Sequence, residues 1–173
     1  VYGVLMYIQF IFIAIFIGYT IGTSPIAGYN YGAKNHKELK SLLKKSWLLM
    51  LVAGISMMLL AQVLAYPLAK IFTGYDAELF EMTRHAFMIF SFSFILAGIN
   101  IFTSSFFTAL NNGAISAAVS FLRTLVFQTA SVLLLPLIFK LDGIWCANVV
   151  AEVFAFIISQ TLLFINRKKY HYM

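Results

Sequence analysis

The chain has 173 residues, 62% of them apolar and 10% charged, where a soluble domain carries about 45–50% and about 25%. A water-soluble fold cannot hide that much apolar surface, because its outside must meet water, so much of this surface must face lipid. The net charge of +6 does not indicate nucleic acid. Eight of the 12 basic residues sit in two short segments beside apolar runs: Lys34, Lys37, Lys40, Lys44, Lys45, and then Arg167, Lys168, Lys169. That is the charge asymmetry of membrane loops rather than of a basic groove.

A helix that crosses a bilayer needs about 20 mainly apolar residues, and five segments of this chain meet that length. The first lies within Tyr2–Gly22, inside a charge-free stretch from Val1 to Ala33. The basic segment Lys34–Lys45 follows, with Leu39, Leu42 and Leu43 at helical spacing, and is expected as an amphipathic helix lying on the membrane surface. The second span is Ser46–Leu68; its middle holds only Ser56 and Gln62 as polar groups, which directs it toward lipid. An acidic connection, Thr73–Glu81, leads to the third span at Ala86–Leu110. The turn Asn111-Asn112-Gly113 separates this from the fourth, Ala114–Phe139. After Lys140–Gly143 comes the fifth, Ile144–Ile165, and then the basic tail.

Placing basic segments in the cytoplasm puts the acidic loop outside and the C-terminus inside, in a multi-pass protein of the plasma (inner) membrane. Val1 then lies outside. An outside start without an initiator Met reads as a piece of a longer protein, with at least one upstream helix. The first span carries no basic n-region and no cleavage site, so it does not read as a signal peptide. Cys146 is the single cysteine and sits in an apolar run, as a small packing residue does.

Polar side chains recur on one face of four of these helices, since residues three or four apart share a face. The first span offers Gln9, Thr20, Thr23 and Ser24. The third carries Ser93, Asn100, Ser104, Thr108 and Asn111. The fourth carries Ser116, Ser120, Thr124, Gln128 and Ser131, with Arg123 beside them; the fifth carries Asn148, Glu152 and Ser159. Single hydroxyls in membrane helices usually serve close packing. Four coordinated stripes with two full charges point instead to a hydrated cavity.

Arg123 lies about eight residues, or roughly 12 Å, from the inner end of its helix, and Glu152 about eight residues from the outer end of the next. Antiparallel neighbours then bring the two to similar depth, within reach of an ion pair. The pair serves either to order the bundle or to work in the cavity. An arginine able to move away makes the carboxylate proton-responsive. Substrate- or ion-binding candidates are therefore Glu152, Arg123, Asn100, Gln128, Asn148 and Thr124. His36, His85 and His171 are scattered without metal-site spacing, and no phosphate-binding glycine loop or paired aspartate cluster appears, so no metal and no enzymatic cofactor is expected.

The run Gly22-Thr23-Ser24-Pro25-Ile26-Ala27-Gly28-Tyr29-Asn30-Tyr31-Gly32-Ala33-Lys34-Asn35 closely resembles the segment that closes the second helix of the C-terminal bundle in multidrug and toxic-compound extrusion (MATE) transporters. Thr108–Gly113, Ser120–Arg123, Leu135-Pro136 and Asp142–Trp145 with Glu152 after it look like bacterial members, in the same order. Pro25 lacks a backbone donor, and Gly28 and Gly32 permit close packing or a turn. With Asn30 and Tyr31 they form a candidate helix-bend motif, or simply the end of the helix.

The resemblance implies an all-α transporter of twelve helices in two bundles, with this chain holding helices eight to twelve of the C-terminal one. It implies export of organic cations, drugs or metabolites in exchange for sodium ions or protons. The partners would be a small-molecule substrate, the bilayer and the N-terminal part of the transporter. Many relatives place an acid in the helix that corresponds to the third span. Here only Asn100 and hydroxyls stand there, which leaves Glu152 as the membrane-embedded acid. A flippase of lipid-linked sugars and a non-transporting scaffold are the competing readings. The first fits one buried Arg poorly, since such flippases tend to have strongly cationic cavities, and the second does not need four polar stripes.

The orientation is checked by labelling intact cells with an impermeant thiol reagent. Lys40→Cys and Lys168→Cys should be shielded and Asp76→Cys should label; labelling of Lys40→Cys from outside would reverse the topology.

Overall fold

The charge-free N-terminal run forms helix α1, Tyr2–Gly32, in the computed structural model, which describes residues 1–173. The helix does not stop at Gly22 as expected; it continues through Pro25 for a length of about 46 Å. A proline removes one backbone donor, but unwinding in an apolar setting would strand several more, so the helix persists. Polar side chains along it also bond back to its own carbonyls: Thr23 Oγ1 donates to Tyr19 O at 3.0 Å and Asn30 Nδ2 to Ile26 O at 2.9 Å.

Helix α2, His36–Thr73, is capped by the Asn35 side chain, which accepts from Glu38 N. It absorbs residues 36–45 of the segment 34–45 that was expected as a separate surface helix. Nothing between Lys45 and Ser46 breaks a helix, and the buried stripe runs without interruption through Leu39, Leu43, Ser46, Met50, Gly54, Ala61, Ala65, Ala69 and Thr73. The leucines of the basic segment thus belong to the bundle core, and the lysines beside them stay exposed. At about 57 Å, α2 exceeds the ~30 Å hydrocarbon core.

The third span is broken. Helix α3, Ala77–Phe90, capped by Asp76, and helix α4, Ser93–Ala109, meet at a 47° bend. Ser91 at the bend donates to Met88 O and accepts from Gln62 Nε2 of α2, a local bond of the kind that bends helices. Past the Asn111-Asn112-Gly113 turn, where Asn111 takes a left-handed φ of 57°, come α5, Gly113–Phe121, a π-helical segment, Leu122–Phe127, and α6, Gln128–Tyr170.

Helix α6 contains a chain reversal at Lys140, with φ 52° and ψ −127°. The limbs on either side lie antiparallel: Arg123 meets Glu152, the rings of Phe127 and Phe154 are 5.7 Å apart, and Gly143 lies on Leu135. A Cβ on Gly143 would stand 2.4 Å from the Leu135 carbonyl carbon, so only glycine fits the hairpin there. The apolar stretch 113–170 therefore folds into two antiparallel limbs. Three helices, or four with the bent α3–α4 pair taken as one, are long and apolar enough to cross a membrane, the third being this folded stretch.

Helix α4 is the centre of the bundle. It buries ten of its 17 residues against α1, α2 and the C-terminal limb of α6. Its approach to α2 is closest at Gly54, where a Cβ would lie 2.6 Å from Phe94 O and 2.8 Å from Ile95 O. Outside, Leu137 and Ile71 are 80% and 75% exposed, a surface that only lipid would solvate favourably. Tyr31 packs on Tyr170 and His36 on His171, so both basic segments share one end of the bundle. His85 is joined to Asp142 at 3.0 Å toward the other end, where Tyr2 stacks on Trp145.

Gly54→Ala should lower the melting temperature of the purified protein by an amount equivalent to about 1–3 kcal/mol, the usual cost of overpacking. Gly22→Ala, with nothing within 4 Å of the new carbon, should leave it unchanged or higher.

Candidate functional site

Helix α4 brings Asn100 to the inner face of the bundle, the π-helical segment brings Arg123, and the C-terminal limb of α6 brings Glu152. Arg123 Nη2 donates to Glu152 Oε1 at 2.6 Å, and its Nε lies 2.9 and 3.1 Å from the two carboxylate oxygens. Asn100 Nδ2 donates to Glu152 Oε2 at 2.7 Å and to the Glu152 carbonyl at 3.0 Å. Asn100 Oδ1 in turn accepts from Ser159 Oγ at 3.0 Å. Glu152 is 3% exposed. A lone charge at the centre of a membrane helix costs about 2.5–3.5 kcal/mol on insertion scales. Here each charge is neutralised by the other, and the carboxylate's remaining lone pair is taken by an amide.

The residue that supplies the cation sits in the one stretch where the helix widens. A π-helical turn closes i→i+5 hydrogen bonds and is frequent at functional sites. Arg123 is its second residue, and its side chain is 18% exposed. That exposure opens on two cavities. One, of about 270 Å³, is lined by Arg123, Thr124, Gln128, Asn148 and Glu152, with Tyr2, Met6, Gln9, Phe10 and Ile13 of α1 across from them. The other, of about 370 Å³, is lined by Asn100 and by hydroxyls including Ser104, Thr108 and Ser120, and also touches Ile13 and Arg123.

The structure thus gathers all six candidates, Glu152, Arg123, Asn100, Gln128, Asn148 and Thr124, around one pair of adjoining cavities. Asn148 Nδ2 is buried there with no partner in the chain, a donor that an acceptor inside the cavity would satisfy. The hydroxyl stripes of α4 and α5 bond to each other: Ser104 Oγ lies 2.8 Å from Ser120 Oγ and 3.0 Å from Ser116 Oγ, and Thr108 donates to Ser116 at 2.7 Å.

The candidate bend motif is not brought to this site. Gly28 faces the Ala109 carbonyl at the basic end, Tyr31 packs on Tyr170, and Pro25, Asn30 and Gly32 lie along the same end of α1. Two contributions to the site were not read from sequence. Ser159 was noted on its stripe, but its bond to Asn100 joins helices far apart in the chain. Tyr2, Met6 and Phe10 share a helical face with Gln9, and an apolar or aromatic residue in an apolar helix carries no signal of its own.

A polytopic helix bundle with a neutralised charge pair beside cavities at mid-span is the architecture of a membrane transporter. The MatE family model matches residues 1–134, and the chain belongs to that family of membrane transporters. The match includes Arg123 and Asn100 and ends before Asn148 and Glu152. No curated protein and no solved structure matches the chain.

Asn100→Ala strands a carboxylate lone pair in a buried site and removes one of the two acceptors of the Ser159 hydroxyl, which keeps Phe156 O. Thermal unfolding in detergent should show a loss of about 1–3 kcal/mol. Thr124→Val, at an exposed position with no hydrogen bond inside the chain, should stay within about 0.5 kcal/mol.

Proposed function

We propose that this chain is part of the C-terminal bundle of an antiporter that exports organic cations, drugs or metabolites in exchange for sodium ions or protons, with Glu152 as the coupling carboxylate. The observation that carries the reading is the buried carboxylate held by a cation and an amide at the edge of a cavity. Arginine stays charged at any physiological pH. The carboxylate is therefore freed by movement of Arg123 and not by its deprotonation. When the guanidinium withdraws, Glu152 takes an external cation in its place; when that cation leaves, Arg123 returns and removes the unpaired charge. The two occupancies exclude each other, which is the requirement for exchange.

Cavity chemistry supports a cationic amphipathic cargo. Tyr2, Phe10 and Met6 present aromatic faces and a polarisable thioether, groups that attract soft cations. Because Glu152 neutralises Arg123, the cavity does not carry the excess positive charge that suits an anionic lipid-linked sugar.

The test is transport of a fluorescent organic cation by the full-length protein in vesicles, with sodium and proton gradients imposed separately. Glu152→Gln should abolish ion-coupled export at near-normal membrane abundance, and Arg123→Ala/Glu152→Gln should remain inactive. Recovery of transport in the double variant would make the pair structural only. Full sodium- and pH-responsive transport by Glu152→Gln would remove Glu152 from the coupling step.

A further inference from the structure

A third cavity, of about 310 Å³, lies at the basic end of the bundle between the first turns of α2 and the end of α6. It shares no lining residue with the two cavities around Arg123. Lys40 and Lys44 stand one helical turn apart at its rim, Trp47 forms a wall, and Leu43 and Leu163 are among its apolar lining. Gln160 also lines it, and the Gln160 Nε2 donor is buried without a partner. The C-terminal tail closes one side through Tyr172, whose hydroxyl donates to Leu163 O at 2.8 Å. Burial and the neighbouring Tyr170 push the ionisation of that phenol upward, so it adds no negative charge, and no Asp or Glu side chain lines the cavity.

We infer that this cavity binds an anionic phospholipid from the leaflet that meets the basic end of the bundle. Two ammonium groups and an unpaired amide donor suit a phosphate, since lysine offers three donors and no acceptor. The remainder of the lining is apolar, which suits the glycerol and upper acyl carbons and not a free hydrated anion. Trp47 and the lysine stems are residue types that settle at the headgroup level. Below the rim the same face of α2 continues as Leu48 and Val52, 60% and 56% exposed, a track along which acyl chains can lie.

The site is tested on the full chain in phosphatidylcholine nanodiscs containing about 10% phosphatidylglycerol. A Trp145→Phe background leaves Trp47 as the single tryptophan of the two, and bromines on the acyl chains of one lipid or the other quench it. Brominated phosphatidylglycerol should quench Trp47 at lower mole fraction than brominated phosphatidylcholine, by about five-fold for each lysine. Lys40→Gln/Lys44→Gln should abolish that preference. Lys37→Gln/Lys45→Gln removes the same charge outside the cavity and should retain it. Equal quenching by the two lipids, or equal loss in both double variants, overturns the site in favour of diffuse attraction to a basic surface. Added inorganic phosphate at about 10 mM should leave the preference intact; its displacement of the lipid would make this a free-anion site and overturn the lipid assignment.

Discussion

The bundle is organised around a carboxylate that cannot be left alone. A buried glutamate in a membrane helix needs a counter-charge and hydrogen-bond donors within reach. Glu152 obtains them from two other elements: Arg123 from the π-helical segment and Asn100 from α4. That requirement constrains the rest. The chain must reverse near Lys140 to bring residues 123 and 152 to one depth, and Gly143 must be bare for the limbs to close. Helix α4 must run through the middle for one amide to hold the carboxylate and, by its other end, Ser159. Removing one partner of such a set leaves a charge in a medium that cannot solvate it, which is why the cluster acts as a unit.

That the chain is a bundle of apolar helices of membrane-crossing length was legible in the sequence, because the hydrocarbon core sets a length that apolar runs must meet. The Arg123–Glu152 contact was legible for a similar reason: depth in a membrane is countable along a helix, and two successive helices must be antiparallel. Helix ends were not. Gly22 and the lysines at 34–45 look like punctuation when composition is read locally, yet α1 runs to Gly32 and α2 starts at His36. A helix stays intact wherever unwinding would strand backbone groups, and tertiary burial of Leu39 and Leu43 draws a basic segment into the bundle. The break at Ser91 was hidden for the opposite reason. An uncharged apolar run gives no sign of a 47° bend that depends on a hydroxyl and a glutamine 29 residues upstream.

The polar stripes divide between two roles that sequence alone could not separate. Ser104, Ser116, Ser120 and Thr108 satisfy one another where α4 meets α5, as hydroxyls do when helices pack closely. Gln128, Asn148 and Thr124, at similar spacing on their helices, line open volume with no such mutual bonds, whereas Ser104, Thr108 and Ser120 border the second cavity while bonded to one another or to Ser116. The difference lies in what stands opposite. Facing α4, a hydroxyl meets another hydroxyl; facing α1, a polar group meets Tyr2, Met6 and Phe10, which leave space and few acceptors.

On the antiporter reading proposed above, the hydroxyl cluster has a second consequence. Arg123 borders both cavities, so withdrawal from Glu152 has a direction: toward Ser104 and Ser120. Each hydroxyl donates one hydrogen but offers two lone pairs, so a cluster already bonded within itself can still accept from a guanidinium. Asn100 stays on the carboxylate while the arginine moves, because its amide bonds both the side chain and the backbone carbonyl of Glu152. The carboxylate is thereby held in place for an incoming cation, and the arginine travels between two sets of acceptors without passing through lipid.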